Sequence, residues 1–269
     1  NYMDAIGSFF VYFSQMDMEP KLFLIGIVIL GVALLVRRFK GAFKEDRAKK
    51  IYSEILEWLD TGAWAVLMAS VIMFFLIQAF KIPSGSMKST LDIGDHLFVN
   101  KFVYGIRIPF SDKKILPLRR IQRGDIVVFK FPAKNRQDMH YGKDFIKRVI
   151  SLPGEKFEIK NKIVYINDEP IEEPYKQHVD PRVYPGQIPF FNKEEYQREW
   201  ASGGFSEVSP MYIRDNFGPV VLPEGEYMAL GDNRDASFDS RFWGPLEFSK
   251  IKGKPLIIYW PLTRIRIIR

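Results

Sequence analysis

The chain has 269 residues, enough for one or two domains with a buried core, and its formal net charge is +7. It contains no cysteine, which excludes a disulfide framework, thiol catalysis and cysteine-bound zinc. The basic residues concentrate at 37–50, "RRFKGAFKEDRAKK", and elsewhere they scatter among acidic residues. Because a nucleic-acid-binding protein needs a basic face or stripe, we expect no nucleic-acid partner.

Two apolar segments near the start predict membrane-spanning helices. Residues 22–36 carry no charge, and residues 63–80 contain Gln78 as their one strongly polar side chain. The second segment would span about 27 Å as a helix, close to a hydrocarbon core of roughly 30 Å. The first is shorter, but the long side chains of Lys21 and Arg37 at its ends can reach the interface. The alternative is a pair of buried core helices, which is disfavoured because such helices usually keep a polar face.

The charge around these segments predicts their orientation. Residues 37–57 hold seven Lys/Arg against four Asp/Glu, whereas residues 1–20 hold three acids and no base. The positive-inside rule therefore places the connecting loop, 37–62, in the cytoplasm and everything after about residue 81 across the membrane. A cleaved signal peptide is a poor account of the start, because it lacks a basic n-region and "RRFK" follows the apolar run.

After residue 81 the pattern changes from helical to strand-like. Short stretches rich in β-branched and aromatic residues are mostly bounded by Gly, Pro, Asn or Asp, among them "DIVVFKF", "FIKRVISL", "KIVYI" and "KPLIIYW". Residues 170–220 differ, since they contain many prolines and few alternating runs. We predict a β domain made of residues 81–155 and 223–269, with residues 156–222 inserted as a second subdomain.

The stretch "PSGSM", residues 83–87, places two serines around a glycine directly after the second apolar segment. A serine hydroxyl needs a base to become a nucleophile, and the three histidines, His96, His140 and His178, are far apart and match no metal or triad spacing. We therefore expect no metal and no cofactor.

A lysine can be the base if burial lowers its pKa by about three units. In the strand "FIKRVISL", Lys147 shares a face with Phe145 and Val149, which makes it a candidate for burial, while Arg148 points to the other face.

Pro-Ser-Gly-Ser alone is ordinary turn chemistry, but four motifs occur in order around it. "PSGSMKSTLDIGDHLFVNKFVYGIRIP", "RGDIVVFKFP", "DFIKRVISLPGE" and "ALGDNRDASFDSRFWG" resemble the bacterial type I signal peptidases, a serine–lysine protease family. The resemblance covers both apolar segments and most of residues 81–155 and 223–269. It implies two transmembrane helices followed by a mostly antiparallel β domain with an inserted second subdomain.

Matched residue by residue, the resemblance implies a catalytic set. Ser86 resembles the nucleophile, Lys147 the general base, and Ser84 the oxyanion-hole hydroxyl. Ser237 resembles the serine that orients the lysine. The motif "GDNRDASFDSR" also contributes a supporting ion pair and a structural turn, namely Asp239 with Arg241, and Gly231 with Asp232.

Two positions depart from the family pattern. Ser89 stands where the family usually has proline, and Ala236 where it usually has asparagine. Neither carries the implied proton transfer, so the departures bear on loop rigidity more than on activity.

The resemblance also implies a substrate and a location. The enzyme would cleave signal peptides from exported preproteins after small residues at positions −1 and −3, and shallow apolar pockets would select them by excluding larger side chains. The implied partners are preprotein signal peptides and the lipid bilayer, and we expect a monomer in the bacterial inner membrane with its catalytic domain on the periplasmic face. The implied substrate-binding residues are Ile82, Pro83, Met87, Leu91, Phe145 and Ile146.

Three other functions were weighed against this interpretation. A membrane-anchored binding or assembly protein without chemistry would be favoured if Lys147 were exposed or pointed away from Ser86. An aspartic signal peptidase for lipoproteins is disfavoured because neither apolar segment contains an acid. A self-cleaving serine–lysine repressor would need a DNA-binding domain where this chain has its apolar segments.

Overall fold

The structure is a computed structural model that describes residues 18–38, 46–107, 114–186 and 192–268. The chain divides into two compact units, Asn1–Ile77 and Gln78–Arg269. Most of the acidic start of the chain, residues 39–45 of the basic segment and residues 187–191 of the predicted insertion lie outside the described residues.

Among its described residues the first unit contains two helices, α1 (Met18–Arg37) and α2 (Asp46–Phe75). They contact each other through the Tyr52 hydroxyl, which donates to the Val36 carbonyl at 2.6 Å, and through an ion pair between Arg37 and Asp60. Among the described residues one helical stretch, Lys49–Met73, is long and apolar enough to cross a membrane. The second of the two predicted spans thus stays a candidate, and the two-span arrangement stays a prediction.

The helix limits differ from those of two predicted segments, whose placement in and beside the membrane stays a prediction. Helix α2 ends at Phe75, so the last residues of the predicted span 63–80 lie in a strand that begins at Ile77. The predicted loop 37–62 is helical from Asp46 onward. The physical reason is that a short apolar run fits a buried helix and a strand equally well, so "FLIQAF" carries no mark of the change.

The second unit is built from short strands. In chain order they are β1 (Ile77–Lys81), β2 (His96–Asn100), β3 (Ile106–Arg107), β4 (Lys114–Ile115), β5 (Ile126–Lys130), β6 (Asp144–Ser151), β7 (Lys156–Lys160), β8 (Ile163–Ile166), β9 (Glu169–Pro170), β10 (Phe217–Val221), β11 (Glu226–Leu230), β12 (Leu246–Glu247), β13 (Ile251–Trp260) and β14 (Arg266–Ile267). In the part of this unit that the structure describes, two helices accompany the strands. They are α3 (Lys193–Ala201), which starts with a capping box between Asn192 and Glu195, and the single-turn α4 (Ser240–Trp243).

Eight of these strands form one sheet in the order β1-β2-β13-β5-β6-β11-β12, with β14 paired to β13. Strands β7 to β10 form a separate four-stranded sheet in the order β10-β7-β8-β9, and β3 pairs with β4. The pairings β2–β13, β5–β6 and β6–β11 are antiparallel, as are β7–β8 and β7–β10. The prediction of a mostly antiparallel β domain is thereby confirmed. The limits of the inserted subdomain stay a prediction, although residues 156–221 supply the whole second sheet.

The large sheet has apolar clusters on both faces, which explains why β5 is buried along almost its whole length. Val127 and Phe129 belong to a larger cluster that also contains residues of the second sheet, such as Phe157. Ile126 and Val128 belong to a smaller cluster on the opposite face. Strand β6, which carries Lys147, lies between β5 and β11 and pairs with both strands.

Candidate active site

Ser86 lies in a short 3-10 helix, Gly85–Met87, which follows β1 after three residues. Its neighbour Met87 is fully buried in the smaller cluster and anchors the turn. Asn233 holds the same turn from the other side: its backbone N–H donates to the Ser86 carbonyl at 3.0 Å, and its side-chain amide donates to the Gly85 carbonyl at 3.2 Å. Ser86 is only 8% exposed, and the hydrogen bonds from Asn233 hold its backbone in place.

Lys147 meets Ser86 although the two residues are 61 positions apart in the chain. Lys147 stands in β6 opposite Val127, and it is 3% exposed. Its Nζ donates a hydrogen bond to Ser86 Oγ at 2.6 Å. The apolar face predicted from "FIKRV" therefore does bury this lysine, and the tertiary structure adds the hydroxyl at its tip.

Burial lowers the pKa of Lys147 from its ordinary value of 10.5 to about 8. The physical cause is that an ammonium ion loses its hydration in an apolar surrounding, while the carboxylates of Asp239 and Asp232 oppose the shift. At neutral pH about a tenth of a lysine with this pKa is unprotonated, compared with less than about one part in a thousand for an exposed lysine. The geometry and this pKa together suit a proton acceptor for Ser86.

Ser237 lies beside this pair, on the other side of Gly231. A Cβ added at Gly231 would stand 2.2 Å from Ser237 Oγ and 2.5 Å from the Ser86 carbonyl oxygen, so Ser86 and Ser237 flank the same glycine. Ser237 Oγ is buried, and it lies close enough to Asp239 to help lower the pKa of that carboxyl. No hydrogen bond joins Ser237 to Lys147 within the described part of the chain, so its predicted orienting role stays a prediction.

Ser84 occupies an extended backbone conformation, with φ −137° and ψ 157°, at the entrance to the 3-10 helix. Its side chain is exposed and caps no backbone group of that helix. An exposed hydroxyl two residues before Ser86 is available to an incoming group, and its predicted oxyanion role stays a prediction.

Asp239 and Arg241 form a fully buried ion pair next to the site. Arg241 donates from Nε to Asp239 Oδ1 and from Nη2 to Oδ2, both at 2.8 Å. Burial alone would raise the pKa of Asp239, but the Arg241 guanidinium holds it below its usual value. Asp239 also accepts from the Gly231 backbone N–H at 3.2 Å, and Arg241 donates to the carbonyls of Arg214 and Arg234. The pair therefore supports the loop that carries Ser237.

A second buried ion pair escaped the sequence reasoning, which assigned Asp232 to a turn. Arg148 donates to both Asp232 carboxylate oxygens, at 2.8 and 2.7 Å, and to the Gly124 carbonyl at 2.8 Å. The Thr90 hydroxyl donates to the same carboxylate. A buried charge needs a partner of opposite charge, so an arginine inside a strand buried on both faces predicts a carboxylate nearby. This was the signal in the sequence that could have identified the pair.

The six predicted substrate-binding residues do not form one group. Ile82, Met87 and Leu91 are buried in the smaller cluster, and Ile146 packs against it while partly buried. Pro83 is exposed. Phe145 packs against the larger cluster, on the face of β6 that carries Lys147. The three buried residues shape the layer beneath the surface, and substrate contact by the other three stays a prediction.

The two departures from the family pattern have different surroundings. Ser89 has a φ of 86°, a conformation that the ring of proline excludes, and its Oγ donates to the Tyr175 carbonyl at 3.1 Å. This hydrogen bond ties the loop after Ser86 to another segment. Ala236 is exposed in the short 3-10 helix Arg234–Ala236.

Comparisons with known proteins give a consistent result. Residues 55–260 match the family model described as signal peptidase, peptidase S26. The chain is 38% identical to the signal peptidase I of Pseudomonas aeruginosa, over 90% of this chain and 92% of that protein. It is 34% identical to the signal peptidase I of Pseudomonas fluorescens, with 91% and 94% covered, and 30% identical to that of Haemophilus influenzae, with 85% and 76% covered.

Proposed function

This chain belongs to the signal peptidase family of serine hydrolases, peptidase S26, and we propose that it removes N-terminal signal peptides from exported preproteins with a Ser86–Lys147 dyad. The observation that carries the proposal is the 2.6 Å contact between the Lys147 amine and the Ser86 hydroxyl in a buried site. Burial lowers the pKa of Lys147, and its amine contacts the Ser86 hydroxyl directly.

In the proposed reaction the unprotonated Lys147 amine takes the proton of the Ser86 hydroxyl as Oγ attacks the scissile carbonyl carbon. The resulting ammonium then gives its proton to the leaving amine, which departs as the new N-terminus of the mature chain. Water next attacks the acyl-enzyme while Lys147 takes one of its protons, the ester bond to Ser86 Oγ breaks, and the signal peptide leaves with a free carboxylate. The Lys147 ammonium returns that proton to Ser86 Oγ, so both residues are regenerated and water is the only further reactant.

We assign supporting roles around this dyad. The Ser84 hydroxyl and the Ser86 backbone N–H would stabilise the oxyanion, because an extended Ser84 leaves its hydroxyl exposed toward an incoming carbonyl. Ser237 would orient the Lys147 amine from its buried position beside Gly231. Asp239 and Arg241 would hold the Ser237 loop.

For substrate selection we propose cleavage after small residues at positions −1 and −3. Ile82, Leu91 and Met87 are buried together in the smaller cluster, and interiors are close-packed, so we expect the surface above them to be too shallow for a large side chain. A site that excludes large side chains needs no charged contact with the substrate. This suits an apolar surface with the exposed Pro83 at its edge.

For location we propose two transmembrane helices, a cytoplasmic connection and a catalytic domain on the periplasmic face of the inner membrane. The basic segment 37–50 and the apolar helical stretch Lys49–Met73 support this arrangement. An enzyme and a signal peptide held in the same bilayer meet at a high effective concentration, which compensates for weak individual contacts.

A binding or assembly protein without chemistry is the second candidate. It predicts an exposed Lys147 or one that points away from Ser86, and the buried 2.6 Å contact favours catalysis instead.

The decisive experiment compares detergent-solubilised wild type with Ser86→Ala on a preprotein. We expect no cleavage by Ser86→Ala and normal cleavage by the control Ser249→Ala, whose hydroxyl bonds Glu247 at an exposed site. Cleavage by Ser86→Ala at near the wild-type rate would overturn the proposal.

A further inference from the structure

A segment of the second subdomain lies along the loop that carries Ser237. We call residues 173–178 the strap and residues 231–237 the catalytic loop. Gln177 of the strap forms a parallel bridge with Asn233: its N–H donates to the Asp232 carbonyl at 2.7 Å, and its own carbonyl accepts from Arg234 N–H at 3.0 Å. The strap thus docks on the catalytic loop as an added stretch of strand.

One strap contact is a buried ion pair. Glu173 is 5% exposed and Arg234 is 2% exposed, and Arg234 Nη1 donates to Glu173 Oε2 at 2.9 Å, with a second contact between Nη2 and Oε1. Arg234 Nε also donates to the Gly231 carbonyl at 3.2 Å. Gly231 in turn packs directly against the Ser86 carbonyl and the Ser237 side chain. Glu173 is therefore connected to both serines through two residues.

The strap also reaches the segment that follows Ser86. The Tyr175 ring covers the Arg148 guanidinium at 4.0 Å, and Arg148 holds Asp232 of the catalytic loop. The Tyr175 carbonyl accepts the hydrogen bond from Ser89, three residues after Ser86. The strap consequently contacts both segments that must meet for Ser86 and Ser237 to flank Gly231.

We propose that the strap positions Ser86 relative to Lys147 and Ser237, with Glu173 as the positioning residue through which the second subdomain acts on catalysis. The proposal rests on the proposed function, because it assumes the Ser86–Lys147 dyad. Its physical basis is that proton transfer requires hydrogen-bond reach, and that a shift of about 1 Å at the reacting atoms can cost roughly a hundredfold in rate.

The first test replaces Glu173 by Gln, which keeps the shape but removes the charge that Arg234 requires. We expect kcat for preprotein cleavage to fall about 10- to 100-fold with KM changed less than about twofold, measured well below the unfolding temperature. The matched control is Glu172→Gln, since Glu172 is the adjacent carboxyl and is exposed. Wild-type kcat in folded Glu173→Gln would overturn the proposal.

A second variant separates positioning from stability. Glu173→Met combined with Arg234→Met replaces the ion pair by apolar side chains of similar length, an exchange that often preserves or raises stability. Positioning predicts a folded double variant with low kcat, because the Gly231 carbonyl has lost its donor from Arg234. A merely structural ion pair predicts that kcat returns to the wild-type value, and this result would also overturn the proposal. The double variant keeps the test available if Glu173→Gln does not fold.

Ser86→Ala, assayed beside these variants, distinguishes two kinds of failure. If Ser86→Ala still cleaves, the dyad is wrong and the strap has nothing to position. If Ser86→Ala is inactive while either strap variant folds and keeps wild-type kcat, the dyad stands and the strap proposal fails.

Discussion

Gly231 and Ser86 pack so closely that no side chain fits between them: a Cβ at Gly231 would lie 2.5 Å from the Ser86 carbonyl oxygen. The same Cβ would lie 2.6 Å from Ser237 Cβ. A backbone oxygen cannot yield without moving the residue that carries it. The glycine is therefore required for space at the junction of the two serine-bearing segments.

Gly231→Ala should separate Ser86 from its neighbours. We expect kcat to fall by about two orders of magnitude or more, since the nucleophile moves while the distant core is unchanged. Preprotein cleavage by folded protein measures the effect. The control is Gly62→Ala, because a Cβ at Gly62 in α2 meets no atom within 4 Å. Equal activity of the two variants would contradict the close packing.

Lys147 should make activity rise with pH. A base acts in its unprotonated form, so kcat/KM should increase through the lowered pKa of about 8. Lys147→Met should fold and yet cleave almost nothing, and Lys147→Arg should fail as well because guanidinium stays protonated. A flat profile between pH 6 and 9, or near wild-type cleavage by either variant, would exclude Lys147 as the base.

The same pKa predicts a pH dependence of stability. Between about pH 8 and 10.5 the unfolded chain, in which Lys147 has its ordinary pKa, binds more protons than the folded chain. The free energy of unfolding should therefore rise with pH in this window, and Lys147→Met should lack that rise. Denaturant unfolding at several pH values measures it, with the exposed Lys193→Met as the control that keeps the rise. If the free energy of unfolding of Lys147→Met rose with pH in the same way, a group other than Lys147 would cause the rise and the prediction would be wrong.

Ser84→Ala tests the oxyanion role. Because a bond to the oxyanion strengthens only in the transition state, kcat should fall about 10²- to 10³-fold with KM nearly unchanged. Ser84→Thr retains a hydroxyl and should keep partial activity. A loss confined to KM would show instead that Ser84 shapes the substrate groove.

Reporter fusions test the orientation. A reporter fused after residue 50 should be cytoplasmic and one fused after residue 269 should be external, since basic loops stay on the cytoplasmic side. Enzymatic or fluorescent reporters that work on one side of the membrane give the readout. The reverse pattern would contradict the charge argument.

The alternation of apolar and polar residues along the sequence predicted where the side chains of two residues near the site lie. Alternation along "FIKRV" placed Lys147 on an apolar face, and the structure buries it there, because successive strand residues point to opposite sides. The same alternation separated Arg148 from Lys147, and Arg148 does bond elsewhere, to Asp232. Short β-branched stretches between turn residues also predicted a β domain, and the family resemblance predicted that its strands are mostly antiparallel.

The tertiary structure alone decided which distant residues meet. The 2.6 Å contact of Lys147 with Ser86 depends on β6 and the 3-10 helix packing across 61 residues of chain, and no local period encodes that distance. The end of α2 at Phe75 was hidden for a related reason: an apolar run specifies burial but not its secondary structure. Glu173 could not be singled out, because the sequence shows one more acid in a proline-rich stretch. It acquires a role only where folding desolvates Arg234, since a buried guanidinium requires a carboxylate and that requirement arises only in the packed chain.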